Sequence, residues 1–182
     1  FNQIEIDFRR SSNILENLFL LARLYPTQSH ALPMKIVDLK EMIQDIEKSL
    51  EPFAREKGIK LSLEAEIVHV LVNQELLFSG VRNLLDNAIR YALPHSEILI
   101  KLFELEKVAY IHIQNEGEVV AQDVVNRMGE RFYRELGTKT HGSGLGISIC
   151  KKIVELHQGK INFENPEQGG LIVKLCIPIL VK

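Results

Sequence analysis

Hydrophobic positions along the chain recur at two spacings, and the switches between them lay out the elements. Over residues 4–24, Ile4, Phe8, Leu15, Leu18 and Ala22, joined by Ile14, Phe19 and Leu21, form a broad stripe at helical spacing. Tyr25-Pro26 ends that helix, because proline disfavours helical geometry in the residue before it and has no N–H to continue the ladder. Residues 26–33 read as a linker. A stripe this wide on a lone helix needs a partner, in this chain or in another.

Beyond the linker, residues 34–37 predict a short strand, and Asp38 is placed to cap a second helix running to about Lys57, closed by Gly58. Residues 59–64 alternate and residues 68–72 are apolar and β-branched, so both predict strands. A third helix spans about 74–92 and stops at Leu93-Pro94. Residues 97–103 and 108–114 predict a strand pair around 104–107, and polar, glycine-bearing loops occupy 115–118 and 135–146. A fourth helix covers 145–157 and ends at Gly159. Two further strands, 160–164 and 171–177, flank a turn at 165–170. Strands mostly neighbour strands instead of alternating with helices, which predicts an α+β fold, a two-layer α/β sandwich.

Composition narrows the class. The chain has 182 residues and is 46% hydrophobic, enough to build the core of one domain with a modest appendage. Its 22 basic and 24 acidic residues nearly balance, with no long run of one sign, so a disordered tail and a nucleic-acid-binding arm are both disfavoured. The apolar run 18–22 is far short of the roughly 20 residues that span a membrane, and Phe1 opens no basic, signal-like segment. A soluble, cytoplasmic piece is expected. Cys150 and Cys176 lie in apolar periodic segments without a Cys or His at metal-ligand spacing, which predicts two reduced, buried thiols.

The third helix carries the most chemistry. At roughly 100° per residue, Leu77, Val81, Leu84, Leu85, Ala88 and Ala92 share one arc, and Asn83, Asn87, Arg90 and Tyr91 share the next. One face is core. The other collects two carboxamides, a guanidinium and a phenol, which suits either a solvated face or a polyphosphate site. Carboxamide oxygens fit a hard cation such as Mg²⁺, and a guanidinium fits phosphate oxygens. Gly142, Gly144 and Gly146 alternate directly before the fourth helix, where a backbone free of Cβ atoms can approach an anion at a helix start. That run lacks the Gly-Lys-Ser/Thr ending of a P-loop and does not follow a strand directly, as a Rossmann fingerprint does.

Together these segments form a pattern. Asn83-Leu84-Leu85-Asp86-Asn87-Ala88-Ile89-Arg90-Tyr91 resembles the N box of sensor histidine kinases, and Arg131-Phe132-Tyr133-Arg134 resembles their F box. Gly142-Ser143-Gly144-Leu145-Gly146-Ile147-Ser148-Ile149 resembles their G2 box, and Asn115-Glu116-Gly117 stands where the G1 box belongs. Order and spacing match over about 37–180, and residues 128–134 look most like the QseC group of bacterial two-component sensors.

The resemblance implies an ATP-binding catalytic domain of the Bergerat (GHKL) type over 34–182, a mixed sheet covered by three helices. Residues 1–25 would be the second helix of a dimerisation hairpin. Asn87 would hold Mg²⁺ with Asn83 in support, Arg90 would touch phosphates and Tyr91 would line the nucleotide. Gly142, Ser143, Gly144, Leu145 and Gly146 would present the glycine-rich backbone to the phosphates. Residues 135–142, Thr140 among them, would form a lid based on Arg131 and Arg134, with Phe132 as its core anchor. Asn115 and Gly117 would meet the adenine. The implied activity is transfer of the ATP γ-phosphate to a histidine, and onward to an aspartate of a response regulator receiver domain. A homodimer through the first helix and a membrane link through segments outside this chain are further implications.

Two departures stand out. The family's G1 box usually has an aspartate followed by two glycines, and here those places hold Asn115 and, for the second glycine, Val119. None of the six histidines (His30, His69, His95, His112, His141 and His157) precedes Asp or Glu, as the family's phosphoacceptor does, so the acceptor helix is expected outside this chain. Two other readings remain at this point. One is a GHKL-type ATPase like gyrase, which places a glutamate where this chain has Asn83. The other is a non-catalytic nucleotide-binding scaffold.

Overall fold

In the computed structural model, which describes residues 33–130 and 146–180, the chain enters through strand β1 (Lys35–Asp38). Asp38 turns it into helix α1 (Leu39–Glu56). Its carboxylate accepts the N–H groups of Lys40 and Glu41, at 2.8 and 3.3 Å, two of the donors every helix start leaves open. Leu39, Met42, Ile43, Ile46, Leu50 and Ala54 recur every three or four residues and are all buried. Strands β2 (Lys60–Ala65) and β3 (His69–Val72) lead to helix α2 (Gln74–Tyr91), which Asn73 caps through its side-chain oxygen on the Leu76 N–H. The hairpin β4 (Glu97–Leu105) and β5 (Val108–Asn115) follows, then a short helix α3 (Gln122–Arg127). Helix α4 (Gly146–Leu156) and the strands β6 (Lys160–Glu164) and β7 (Leu171–Pro178) complete the described chain.

The sheet order is β2-β4-β5-β7-β6, with β2 and β4 parallel and the other neighbours antiparallel. Alternation sorts the side chains. Ile98, Ile100 and Leu102 of β4, Ala109, Ile111 and Ile113 of β5, and Val173, Leu175 and Ile177 of β7 are buried in one cluster with the apolar faces of α1, α2 and α4. The intervening positions form the opposite face, where Phe103 stacks on Tyr110 at 5.2 Å and meets the His112 ring edge-on at 5.1 Å. The expected α+β sandwich, with a mixed sheet covered by three helices, is the architecture found.

The structure also departs from the sequence reading in four places. Strands β1 and β3 leave the main sheet and pair with each other antiparallel, Val37 opposite Val70. Helix α3 was not foreseen, since it has six residues and buries only Val124 and Val125. The β4–β5 ladder extends to Leu105 opposite Val108, so the turn is Glu106-Lys107 alone, with φ of +51° and +61°. Cys150 is buried as expected, but Cys176 is only half-buried, because it alternates onto the open face.

Candidate functional site

Helix α2 sets the site by having two kinds of surface. Its core arc is buried as expected and is wider, taking in Leu76, Gly80 and Ile89 as well. Gly80 is the reason. A methyl there would lie 3.4 Å from Ile153 Cδ1 and 3.5 Å from Cys150 Sγ, so α4 packs closely along α2 at this point. The adjacent arc keeps Asn83, Asn87 and Arg90 half-buried and Tyr91 exposed.

At the start of α4, a methyl on Gly146 would lie 3.6 Å from Asn87 Nδ2. The N box helix and the last glycine of the G2 box, 59 positions apart, therefore meet. Asn87 presents its carboxamide to a helix N-terminus, where unpaired N–H groups and the positive end of the dipole favour anions. Arg90 pairs with Asp86 one turn back, at 2.8 Å. Its guanidinium is thus held on the same face, and Asp86 is partly neutralised.

The third line of the site comes from β5. Asn115 occupies the last inward position of that strand and is 5% exposed, a polar side chain at the rim of the core. Its Nδ2 donates to the Glu116 carbonyl at 3.3 Å. The loop that follows leans on the end of α2: the Leu93 N–H donates to the Glu116 carbonyl at 3.0 Å, and a Cβ on Gly117 would come within 3.1 Å of the Tyr91 carbonyl and of Asn115 Nδ2. Tyr91, Asn115 and Gly117 are thereby brought together. Arg131, Arg134, Thr140, Gly142, Ser143, Gly144 and Leu145 lie outside the described residues, as do the expected lid at 135–142 and its expected anchor Phe132.

Two supports escaped the sequence reading. Gly169 and Gly170, read only as part of a turn, brace the Asn115 loop from the other side. Both have positive φ (+87° and +86°), and a Cβ on Gly170 would stand 2.0 Å from the Asn115 carbonyl oxygen. The Gly170 N–H donates to the Glu118 carbonyl at 3.0 Å, and Asn165 donates its amide to the Val120 carbonyl. Lys57, read only as the end of α1, reaches across to the C-terminus of α2. Its ammonium donates to the carbonyls of Ile89 (2.9 Å) and Arg90 (2.6 Å), a cation at the negative end of the helix. Burial and the neighbouring Arg90 charge lower the Lys57 pKa, while Asp86 opposes them. Nothing in the local sequence of either support announces a partner more than 30 residues away.

The family model described as "Histidine kinase-, DNA gyrase B-, and HSP90-like ATPase" matches residues 72–180, which contain every part of this site except the supporting Lys57. The chain belongs to that family. Within the family it is similar to sensor histidine kinases. It is 34% identical over 180 residues to sensor protein kinase PmrB of Pseudomonas aeruginosa, covering 97% of this chain and 37% of PmrB. It is 32% identical over 170 residues to sensor protein QseC of Salmonella typhi, covering 92% of this chain and 37% of QseC. The chain thus spans well under half the length of these curated relatives. Among solved structures, the nucleotide-free catalytic domain of histidine kinase ThkA superposes with a TM-score of 0.74 at 27% identity, covering 81% of this chain and 96% of that domain. Asn83 and Asn87 on α2, and Gly146 opening α4, are thus ATPase-family segments in a histidine-kinase-like frame.

Proposed function

We propose that the chain is the ATP-binding catalytic part of a sensor histidine kinase. It binds Mg·ATP and presents the γ-phosphate to a histidine on a helix outside these 182 residues. From there the phosphoryl group passes to an aspartate of a response regulator receiver domain. The meeting of Asn87 with Gly146 carries this reading, because it sets a carboxamide against a helix start as a polyphosphate site requires. The donor set suits the metal: the Asn87 oxygen is a hard ligand, with Asn83 one turn away in support. Bound there, Mg²⁺ would neutralise phosphate charge. Arg90 would hold phosphate oxygens, and the glycines at 142, 144 and 146 would offer backbone N–H groups, with Ser143, Leu145 and Thr140 alongside. Arg131 and Arg134 would stand at the base of the lid.

Asn115 would read the base. Its Nδ2 is turned to its own loop, so Oδ1 is the atom that accepts from the adenine amine, with Tyr91 and Gly117 bounding the ring. Asn83 cannot act as a general base toward water, which favours phosphoryl transfer over the hydrolytic reading. We place the catalytic domain at 34–182, a linker at 26–33 and a dimerisation helix at 1–25, whose apolar stripe pairs two copies of the chain. Among the described residues no helix is long and apolar enough to cross a membrane, and a cytoplasmic position agrees with an ATP substrate. The response regulator assignment draws on ThkA, which has been solved in complex with the response regulator protein TrrA.

Calorimetric titration of the full chain with Mg·ATP, against Asn87→Ala, tests the reading. Binding by the wild type and its near loss in the variant, with the unfolding midpoint held within a few degrees, is expected. If Asn87→Ala binds Mg·ATP as tightly as the wild type, the assignment is wrong.

A further inference from the structure

At the end of the α2–α4 pair remote from Asn87, four hydrogen bonds meet on two buried polar residues. Asn73, 7% exposed, caps α2 with Oδ1 on the Leu76 N–H and donates Nδ2 to the Pro33 carbonyl, both at 3.0 Å. Its backbone N–H donates to His157 Nε2 at 2.9 Å. His157, 4% exposed and just past the last turn of α4, places Nδ1 2.7 Å from the Ile153 carbonyl. A carbonyl only accepts, so Nδ1 carries the proton, and Nε2 is left as the bare acceptor that Asn73 requires.

The two helices run antiparallel. Asn73 meets His157 at one end, Gly80 meets Cys150 and Ile153 in the middle, and Asn87 meets Gly146 at the other end. Fourteen residues at about 1.5 Å each put the His157 bond roughly 20 Å from Asn87. A histidine that merely filled core space would not need its acceptor aimed at a helix-start N–H. Nor would the same asparagine be expected to hold the backbone at Pro33, ahead of β1.

We propose that His157 is a positioning residue for the ATP site: through Asn73 it holds α4 in register along α2, so that Gly146 stays opposite Asn87, and Asn73 extends the same constraint to the backbone at Pro33, just before β1. The inference rests on the ATP-binding reading above. The imidazole touches no nucleotide; it acts as an acceptor at the far end of the pair.

The full chain with His157→Leu, His157→Asn, His157→Gln and Asn73→Ser tests this. Glutamine places an oxygen near the Nε2 position and keeps the acceptor, whereas leucine removes it. Serine at 73 keeps a capping oxygen but loses the donor to Pro33. Amide hydrogen exchange is followed without nucleotide, together with the Mg·ATP Kd. His157→Leu is expected to speed exchange at residues 150–154 about tenfold and to weaken Mg·ATP about tenfold, a shift of about 1.4 kcal/mol. His157→Gln should stay within about twofold of wild type in both. Asn73→Ser keeps the backbone N–H on His157, so it should speed exchange at residues 35–37 and leave the Mg·ATP Kd within about twofold of wild type.

A wild-type Kd in His157→Leu overturns the proposal, and so does a His157→Gln variant as impaired as the leucine one. If His157→Leu does not fold, His157→Asn decides, because its shorter amide withdraws the acceptor from the Asn73 N–H: unchanged exchange at 150–154 with an unchanged Kd overturns it. A wild type that binds no Mg·ATP refutes the ATP reading instead, and the exchange comparison between leucine and glutamine still judges the joint.

Discussion

Gly170→Ala isolates the brace behind Asn115. The new Cβ would stand 2.0 Å from the Asn115 carbonyl oxygen, 3.0 Å from the Asn115 carbonyl carbon and 3.0 Å from the Gly117 nitrogen. All three are backbone atoms, so no rotamer change relieves the clash, and the closest contact lies more than an ångström inside the usual separation of about 3.5 Å. The φ of +86° adds left-handed strain for any residue with a Cβ. Strain of about 1–3 kcal/mol and overpacking of about 1–3 kcal/mol together suggest a loss of about 4 kcal/mol. For a chain of this size that lowers the thermal midpoint by about 10 °C. Gly129→Ala is the control: φ is +89°, but its Cβ would meet only side chains, Lys151 Cδ at 3.2 Å and Ile147 Cγ2 at an ordinary 3.8 Å. Calorimetry with Mg·ATP and with Mg·triphosphate then separates base from phosphate. Gly170→Ala should weaken ATP more than triphosphate, because the displaced backbone belongs to Asn115, the residue proposed to read adenine. The reasoning is refuted if Gly170→Ala is no less stable than Gly129→Ala, or if its preference for ATP over triphosphate is unchanged.

Gly146→Ala should separate fold from function. Alanine favours the helix by up to about 1 kcal/mol and its methyl meets Asn87 Nδ2 at an ordinary 3.6 Å, so the unfolding midpoint should hold or rise while Mg·ATP binding falls; intact binding would remove Gly146 from the phosphate site. Lys107→Gly should raise the unfolding free energy from denaturant titration by about 1 kcal/mol, because Glu106 and Lys107 both sit at positive φ in a two-residue hairpin turn that favours Asn-Gly; no change would argue against the strain. Burial holds the His157 pKa below its usual 6.5, with the Ile153 hydrogen bond opposing. Below pH 6.5 the unfolded chain therefore takes up a proton that the folded chain refuses, and stability falls as pH falls from 6.5 toward the folded pKa, by at most about 1.4 kcal/mol per pH unit. Urea midpoints across pH 7 to 5 should show this fall reduced in His157→Gln; His112, also lowered by burial and then by Lys174, contributes equally to both chains and cancels. Identical pH profiles would refute it.

What could be read in the sequence was what nearest neighbours decide. Asp38 before an amphipathic run caps α1, and Leu93-Pro94 stops α2, because capping and proline sterics act within a few residues. The two faces of α2 were readable for the same reason. Partners were not. The pattern of β1 and β3 marks both as strands, but their pairing with each other is fixed only once α1 lies across the main sheet. The parallel pairing of β2 with β4 is likewise a consequence of how α2 packs back. Helix α3 is too short for its two buried valines to show a period.

The candidate site divides along the same line. Asn87 and Gly146 were each visible as residue types unusual for their places, and their contact needed the fold. Gly169-Gly170 and Lys57 carried no such signal, since a glycine pair in a turn and a lysine at a helix end are commonplace. Their roles come from reach: Gly170 closes on a strand end 55 positions earlier, and Lys57 caps carbonyls 32 and 33 positions later. A ligand side chain must differ chemically from its neighbours, and so leaves a trace in the sequence. A brace need only be small or long enough to arrive. Supports of this kind therefore surface in coordinates first, and for this chain Gly170, Lys57 and His157 are where substitutions far from the phosphates should still be felt at the ATP site.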